Sequence, residues 1–412
     1  MILQNTPKPQ VSGFNIWVVT LVLFMVIGAV AGIMVFFQGL VVTNLTDTVP
    51  WGLWITIDLS AIALSAGAFL FCAAVYILKL EQFQPMARTA TYIGLIGYSM
   101  AMLCLLLDIG RPDRFWHGFV YWNTHSVLWE VTMCVGLYFS VLSLETLPII
   151  GQADWFQKRW PKLSQPMQDA HKLAPGLAIA GLCLSLLHQS SLGATYGVLL
   201  ARPIWYRPGL AILFITSAAA GGLALTTLAS SLSAKLTPLA VIDKRRIEQV
   251  AKVIGWILLG YLYLRFWDIF TMHYTYQPGK AEGLELLLSG PLAFNFWIGE
   301  ILLGIVIPAF VLLNGRLRKQ NLLRILALLL IVGGVVAYRW DTNLVGQLIV
   351  QSLAPFDGTT VYTSYRPSLV EFAAGAGIIS FGLLTFTLGV KFLGIVDHHK
   401  VAHSVAHLAS AD

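Results

Sequence analysis

Long apolar runs recur along almost the whole chain and decide what it can fold into. A run of roughly 20 apolar residues is long enough to cross the hydrocarbon core of a bilayer as a helix. Only 11% of the residues are charged, against roughly a quarter in ordinary soluble domains. The sequence therefore predicts an all-α integral membrane protein with one polytopic domain and about ten spans, at about 15–37, 51–78, 89–108, 125–149, 174–199, 209–233, 248–272, 291–314, 322–340 and 367–394.

Basic residues alternate between connections and predict an orientation. Lys and Arg gather in the connections that follow spans 2, 4, 6 and 8, whereas the other connections carry far fewer. Because cytoplasmic loops are enriched in Lys and Arg, we expect a bacterial inner membrane protein with both termini, including a tail at 395–412, in the cytoplasm. The longest outer connection, about 341–366, contains Asp357, Gly358, Tyr362 and Tyr365 and is a candidate docking surface. The basic residues form no single stripe, so nucleic acid is not an expected partner.

Ionisable residues inside the predicted spans converge at one depth. At 1.5 Å per residue, six of them fall in the outer half of the membrane: Asp58, Glu130, His188, Arg265, Asp268 and Glu300. Each costs about 3 kcal/mol at mid-membrane if unpaired, so we expect them to face one another or a wet cavity. The alternative is that Arg265 simply pairs with Asp58, Asp268 or Glu300 and locks the helices together.

Two further patterns adjoin this layer. The segment DIGRPDRFWHG, 108–118, adds Asp108 and Arg111, which are either functional or ordinary surface charges. Span 4 carries Glu130, Tyr138 and Glu145 on one helical face. With Tyr98 and Ser99 on span 3, they form a candidate proton path from the cytoplasm, unless Glu145 is merely interfacial.

Metal ligands are scarce. The four cysteines lie in apolar runs without the close spacing of a zinc or iron-sulfur site. A membrane cytochrome b needs paired axial histidines, and only His188 is clearly inside a span. We therefore expect no haem and no metal bound by this protein.

Seven ordered motifs carry a family resemblance. They are PWGLWITIDL (50–59), IGYS (96–99), DIGR (108–111), NTHSVLWE (123–130), HQSSLG (188–193), LRFWD (264–268) and FWIGE (296–300). Together they resemble the NrfD/polysulfide-reductase membrane-subunit family, in particular its ten-helix HybB-like branch. That branch includes membrane subunits of menaquinone reductase complexes and of periplasmic uptake hydrogenases.

The resemblance implies a cofactor-free, quinone-binding subunit. It implies two four-helix bundles, at about 51–199 and 209–340, with flanking helices. It also implies periplasmic partners, an iron-sulfur subunit and a catalytic or multihaem cytochrome c subunit, with the quinone near the outer face.

We therefore expect electrons from an outer partner to reduce menaquinone, or another quinone, in the outer half of the membrane. His188, Asp58 and Glu130 are the candidate catalytic residues. Protons that arrive from the cytoplasm would make turnover separate charge. The wider candidate quinone-binding set is Trp54, Asp58, Asp108, Arg111, His125, Ser126, His188, Gln189, Arg265, Asp268 and Glu300.

Two other functions stay open at this point. In a secondary transporter, buried acids and an arginine would bind ion and substrate between repeats, and paired spans would be broken by Gly or Pro. Gly221, Gly222, Gly333 and Gly334 are compatible with such breaks. The other alternative is a purely structural membrane anchor.

Overall fold

Long helices make up most of the described structure. The computed structural model describes residues 13–236, 243–275, 277–351 and 360–396. Ten helices within these ranges are long and apolar enough to cross a membrane, which confirms the prediction of an all-α, multi-pass integral membrane protein. We number them α1–α10: Gly13–Gln38, Leu53–Ile77, Gln84–Asp108, Val127–Gly151, Ala174–Gly197, Gly209–Leu236, Lys244–His273, Asn295–Leu313, Asn321–Val345 and Leu369–Phe392.

Short elements connect these helices. Strands β1 (Ile349–Gln351) and β2 (Thr360–Tyr362) pair antiparallel, with Val350 opposite Val361. The longest predicted outer connection therefore does form a small structure, although Asp357 and Gly358 lie outside the described residues, as does 397–412 of the predicted tail. The short helices are Gly39–Val42, Glu81–Phe83, Pro112–Arg114, His117–Val120, Asp154–Arg159, Pro161–Asp169, Ala170–Leu173, Lys280–Leu288 and Gly315–Lys319.

The two ends of the helix assembly differ in charge. We call the end that carries β1, β2 and the α3–α4 connection (109–126) the hairpin end. The opposite end carries the α2–α3, α4–α5, α6–α7 and α8–α9 connections, where basic residues such as Lys158, Arg245 and Arg316 lie. We call it the basic end.

Helix packing follows the order of the helices in the sequence. Helices α2–α5 pack on one another, α6–α9 pack on one another, and α6 contacts both α2 and α5. Helix α1 packs along α10, which in turn lies against α3. We call α2–α5 bundle one and α6–α9 bundle two, with α1 and α10 beside them; that these groups are the two predicted four-helix bundles stays a proposal.

Glycines allow the closest helix contacts. A Cβ on Gly67 of α2 would lie 2.6 Å from the carbonyl oxygen of Gly222 on α6. A Cβ on Gly304 of α8 would lie 2.6 Å from the Cα of Gly334 on α9. Small residues at helix interfaces let backbones approach and pack in membranes. The first pair joins the two bundles, and the second holds bundle two.

Two spans depart from regular α-helix. Helix α2 has a turn after Leu64, before Gly67, and ends as a π-helix over Ala73–Ile77. Helix α8 is a π-helix over Asn295–Val306 and becomes α-helical only at Ile307–Leu313. Hydrogen bonds in a π-helix join residues five apart, and such segments are often found at functional sites.

Helix α9 runs further than predicted. The predicted span ends at 340, but the helix continues to Val345. Its last turn remains inside the protein, where two of its polar side chains bond to other elements: Asp341 Oδ1 accepts from Asn295 at 2.8 Å, and Asn343 donates to the carbonyl of Trp51 at 2.9 Å. The prediction ended this span too early because it used the polarity of the residues alone.

The α8–α9 contact predicts that substitution of two adjacent glycines has different effects on stability. We expect Gly334→Ala to lower the free energy of unfolding by about 1–3 kcal/mol, because the new methyl meets the backbone of Gly304. Gly333→Ala is the matched control, since a Cβ there has nothing within 4 Å. Thermal unfolding in detergent measures both, and equal midpoints for the two variants would contradict the packing described.

Candidate functional site

A polar cluster lies buried among α2, α3 and α5, in the halves of these helices nearer the hairpin end. We define it as Asp58, Tyr98, His188 and Gln189. His188 has no exposed surface, and its Nδ1 lies 2.7 Å from the Tyr98 hydroxyl oxygen. Its Nε2 has no hydrogen-bond partner among the described residues. One side of the imidazole is thus held in place while the other is open.

Asp58 and Gln189 supply two more open polar atoms. Asp58 is 3% exposed, and its Oδ1 has no partner in the described part of the protein. Gln189 donates from Nε2 to the carbonyl of Ile62, one turn beyond Asp58, at 3.1 Å, and its Oε1 is also unpartnered. An unpaired buried polar group costs roughly 1–3 kcal/mol. Three such atoms on facing helices therefore indicate a binding place for a polar group.

Tyr138 of α4 extends the polar cluster toward the basic end. Its ring packs edge-on against Tyr98, with ring centroids 4.8 Å apart. Glu145 lies two turns further along α4, roughly 10 Å closer to the basic end, and its Oε2 is 4.0 Å from the Cys72 sulfur. The structure thus brings His188, Tyr98 and Tyr138 into continuous contact, with Glu145 beyond them.

Two other residues of the predicted proton path have local partners. Glu130 is half-buried and accepts a hydrogen bond from the Ser191 hydroxyl at 2.8 Å, which joins α4 to α5. The Ser99 hydroxyl donates to the carbonyl of Leu95 in its own helix at 2.8 Å. Glu130 therefore remains next to the polar cluster, whereas Ser99 satisfies its hydroxyl on its own backbone.

Trp54 and Asp108 lie between the polar cluster and α10. Trp54 is 1% exposed and donates from Nε1 to the carbonyl of Glu371 at 3.0 Å. Asp108 carries a buried Oδ1 with no partner among the described residues, and its carboxyl lies near enough to that of Asp58 for the two to interact electrostatically. These two carboxyls make this side of the cluster acidic.

Three predicted site residues lie at the surface in the α3–α4 connection. Arg111 pairs with Asp113 at 2.9 Å, both side chains being exposed, and this hydrogen bond lowers the pKa of Asp113. His125 is exposed, and Ser126 caps α4 by accepting from the backbone N–H of Trp129 at 3.3 Å. Arg111 and Ser126 have local partners, and no hydrogen bond in the described residues joins any of the three to the polar cluster.

Bundle two contains a separate group of ion pairs, which we call the Arg265 network: Arg207, Tyr261, Arg265, Asp268 and Glu300. Arg265 donates to Glu300 Oε1 at 2.9 Å and to Asp268 Oδ2 at 2.7 Å. Asp268 also pairs with Arg207 at 2.7 Å, and Tyr261 donates to Glu300 at 2.9 Å.

The buried charges thus divide into two groups rather than one. Within the described ranges, no hydrogen bond or ion pair joins the Arg265 network to the polar cluster. The carboxylates of the network have cationic partners, whereas the polar cluster has open atoms. The arrangement favours the structural alternative for Arg265, Asp268 and Glu300.

Sequence reasoning missed two buried charges on α9. Arg339 has no exposed surface, lies 3.6 Å from the centre of the Phe214 ring, and donates to the Ser217 hydroxyl at 3.2 Å. Asp341 is equally buried. Both sit at the end of the predicted span, where polar residues usually mark the membrane surface. Asn343 and Gln347 follow four residues apart, as on one face of a helix, and this spacing could have indicated that the helix continues past the predicted end.

Comparison with known proteins identifies the family. Residues 41–351 match the family model described as "Polysulphide reductase, NrfD". The chain belongs to this family. The match covers most of its length, and it confirms the resemblance predicted from the seven motifs.

Relatives in the family match this protein over most of its length. The menaquinone reductase integral membrane subunit of Nitratidesulfovibrio vulgaris is 32% identical over 401 residues, which cover 95% of this protein and 94% of that one. The probable Ni/Fe-hydrogenase 2 b-type cytochrome subunit of Escherichia coli is 26% identical, covering 90% and 89%. The C polypeptide of the polysulfide reductase of Wolinella succinogenes is 23% identical, covering 74% and 96%.

The second of these names raises the question of haem. His188 is the one histidine among the described residues that is buried within a span, and Tyr98 already occupies its Nδ1. Paired axial histidines are therefore not available there, so the residues present do not fit a bis-histidine haem. The described ranges also hold no group of three or more His, Cys, Asp or Glu side chains arranged for a metal. That this protein binds no haem stays a prediction.

The Arg265 network predicts a large loss of stability on neutralising one member. We expect Glu300→Gln to lower the free energy of unfolding by about 3 kcal/mol, because a buried Arg265 loses a charged partner. Glu285→Gln is the control, since Glu285 is exposed and surface changes cost less than about 0.5 kcal/mol. Unfolding in detergent measures both, and a Glu300 variant as stable as the control would contradict the network's role.

Proposed function

We propose that this protein is the quinone-binding membrane subunit of a respiratory oxidoreductase complex, with the polar cluster as its quinone site. The observation that supports this most is the set of open buried atoms: Asp58 Oδ1, His188 Nε2 and Gln189 Oε1. A quinone headgroup is a flat apolar ring with two carbonyl oxygens. It needs a pocket that is mostly apolar with a few directed polar groups, and the open atoms of the cluster can supply those polar groups. We propose menaquinone as the quinone that binds there.

His188 is suited to hold a carbonyl oxygen. When the Tyr98 hydroxyl donates to Nδ1, the ring hydrogen resides on Nε2, which then donates to an acceptor. Asp58 provides a carboxyl that can give or take a proton at its open Oδ1. Reduction of the bound quinone takes up two electrons and two protons. Glu130, next to the cluster through Ser191, is the third proposed proton carrier.

Protons are proposed to come from the basic end. The contact series His188, Tyr98 and Tyr138, with Glu145 beyond, leads from the cluster toward that end. By the enrichment of Lys and Arg in cytoplasmic loops, we place the basic end in the cytoplasm of a bacterial inner membrane. Proton uptake there with electron delivery from the hairpin end would separate charge across the membrane.

Electrons are proposed to come from partner subunits at the hairpin end. Two relatives, the integral membrane subunit of a menaquinone reductase and the C polypeptide of a polysulfide reductase, support a role as one subunit of a larger complex. We propose a periplasmic iron-sulfur subunit and a catalytic or multihaem cytochrome c subunit as those partners. Quinone reduction is the proposed direction.

Substituting the polar cluster tests the site. In the purified native complex, we expect His188→Ala and Asp58→Asn to lower the rate of quinone reduction by about 100-fold or more, because proton transfer and headgroup binding are lost. Asp154→Asn, which changes an exposed aspartate of the α4–α5 connection at the basic end, is the control and should retain the wild-type rate. Assembled complexes whose cluster variants reduce quinone at the wild-type rate would rule the site out.

A second measurement tests the proton route. In proteoliposomes, the wild-type complex should generate an uncoupler-sensitive membrane potential during quinone reduction. Glu145→Gln should diminish that potential, because the half-buried carboxyl beyond Tyr138 can no longer carry a proton. Glu81→Gln, at an exposed site of the α2–α3 connection, should leave it unchanged. Quinone reduction without any potential in the wild type would disprove charge separation.

A further inference from the structure

An apolar groove lies between α1 and α3 near the hairpin end. Its volume is about 240 Å³. Residues of both helices line it, among them Ala29, Gly32, Val35 and Phe36 of α1 and Leu106 and Leu107 of α3. Ala29, Ile33 and Phe36 are exposed, so the groove opens on the surface that faces lipid.

The groove exists because α1 packs on α10 rather than on α3. Gly28 and Gly377 bring α1 and α10 together, since a Cβ on Gly377 would lie 2.6 Å from the Cα of Gly28. On the side toward α3, Gly32 presents no side chain, and a Cβ there would meet only Leu107 at 3.5 Å. Small residues on this side of α1 therefore leave space that a larger side chain would fill.

The inner wall of the groove continues to the polar cluster. Val35 belongs to an apolar cluster that also contains Trp54 and Cys104, and Leu107 packs against it. Asp58 is one turn beyond Trp54 on α2. Asp108 directly follows Leu107, and its buried Oδ1 has no partner among the described residues. An occupant of the groove would thus have apolar surface along its length, and the carboxyls of Asp58 and Asp108 would lie behind the inner wall.

We propose that this groove binds the first isoprenoid units of the quinone tail, and that the substrate enters the polar cluster from the lipid between α1 and α3. The inference rests on the proposed function. A phospholipid acyl tail matches the apolar lining, but its headgroup stays at the membrane surface and does not reach buried carboxyls. At about 240 Å³, the groove is smaller than the roughly 300–1,000 Å³ pocket of a whole ligand. It suits a tail whose remainder lies in the bilayer.

Filling the groove tests the proposal. The native complex is assayed with two substrates, a long-tailed menaquinone and the tail-less naphthoquinone menadione. We expect Gly32→Phe to raise the KM for menaquinone by about tenfold, because several buried methylene contacts are lost, and to leave the KM for menadione unchanged. Ala29→Phe, on the same wall, should act in the same way. Val30→Phe is the control, because Val30 is exposed and does not line the groove.

The possible outcomes distinguish a failure of the groove proposal from a failure of the proposed function. A raised KM for menaquinone but not for menadione in either groove variant, with wild-type KM values in Val30→Phe, supports the proposal. If the groove variants leave the KM unchanged for both substrates, or raise it equally for both, the proposal is wrong. If the groove variants release a phospholipid and keep the wild-type KM, the groove is a lipid site and the proposal is wrong. A wild-type complex that reduces neither quinone would contradict the proposed function itself, and the groove proposal would fail with it.

Discussion

The ion pair between Arg265 and Glu300 is the interaction on which bundle two depends. Hydrocarbon cannot solvate a charge, so each buried ion must find its partner inside the protein. Arg265 on α7 meets Glu300 on α8, and Asp268 extends the pair to Arg207 in the α5–α6 connection. The same charges therefore join two helices of bundle two and fasten the segment that leads into it from bundle one.

The polar cluster of bundle one has the opposite character. His188, Asp58 and Gln189 each keep a buried atom without a partner in the described residues. Stability alone would remove such atoms, because each one costs free energy. These open atoms on facing helices contrast with the carboxylates of the Arg265 network, which have cationic partners. Bundle one is thus proposed to bind substrate, while bundle two supports it.

The length of apolar runs was enough to predict ten helices, and helical spacing was enough to place Tyr138 and Glu145 on one face of α4. Depth along each helix correctly put Asp58 and Arg265 in the same half. It could not tell that no hydrogen bond or ion pair in the described residues joins their two groups, because which neighbour a helix face meets depends on tertiary packing. The end of α9 was missed for a related reason: Asp341 and Asn343 look terminal until Asn295 and the Trp51 carbonyl are seen beside them.

The π-helical segment of α8 fixes the register of bundle two. Asn295 and Glu300 are five residues apart, a separation that would turn them about 140° from each other in an α-helix of 3.6 residues per turn. In the wider helix, both point inward, Asn295 to Asp341 and Glu300 to Arg265. The segment therefore behaves like a spacer of set length. Losing a single residue there would rotate one anchor out of the bundle, so insertions and deletions are far less tolerable in this segment than substitutions.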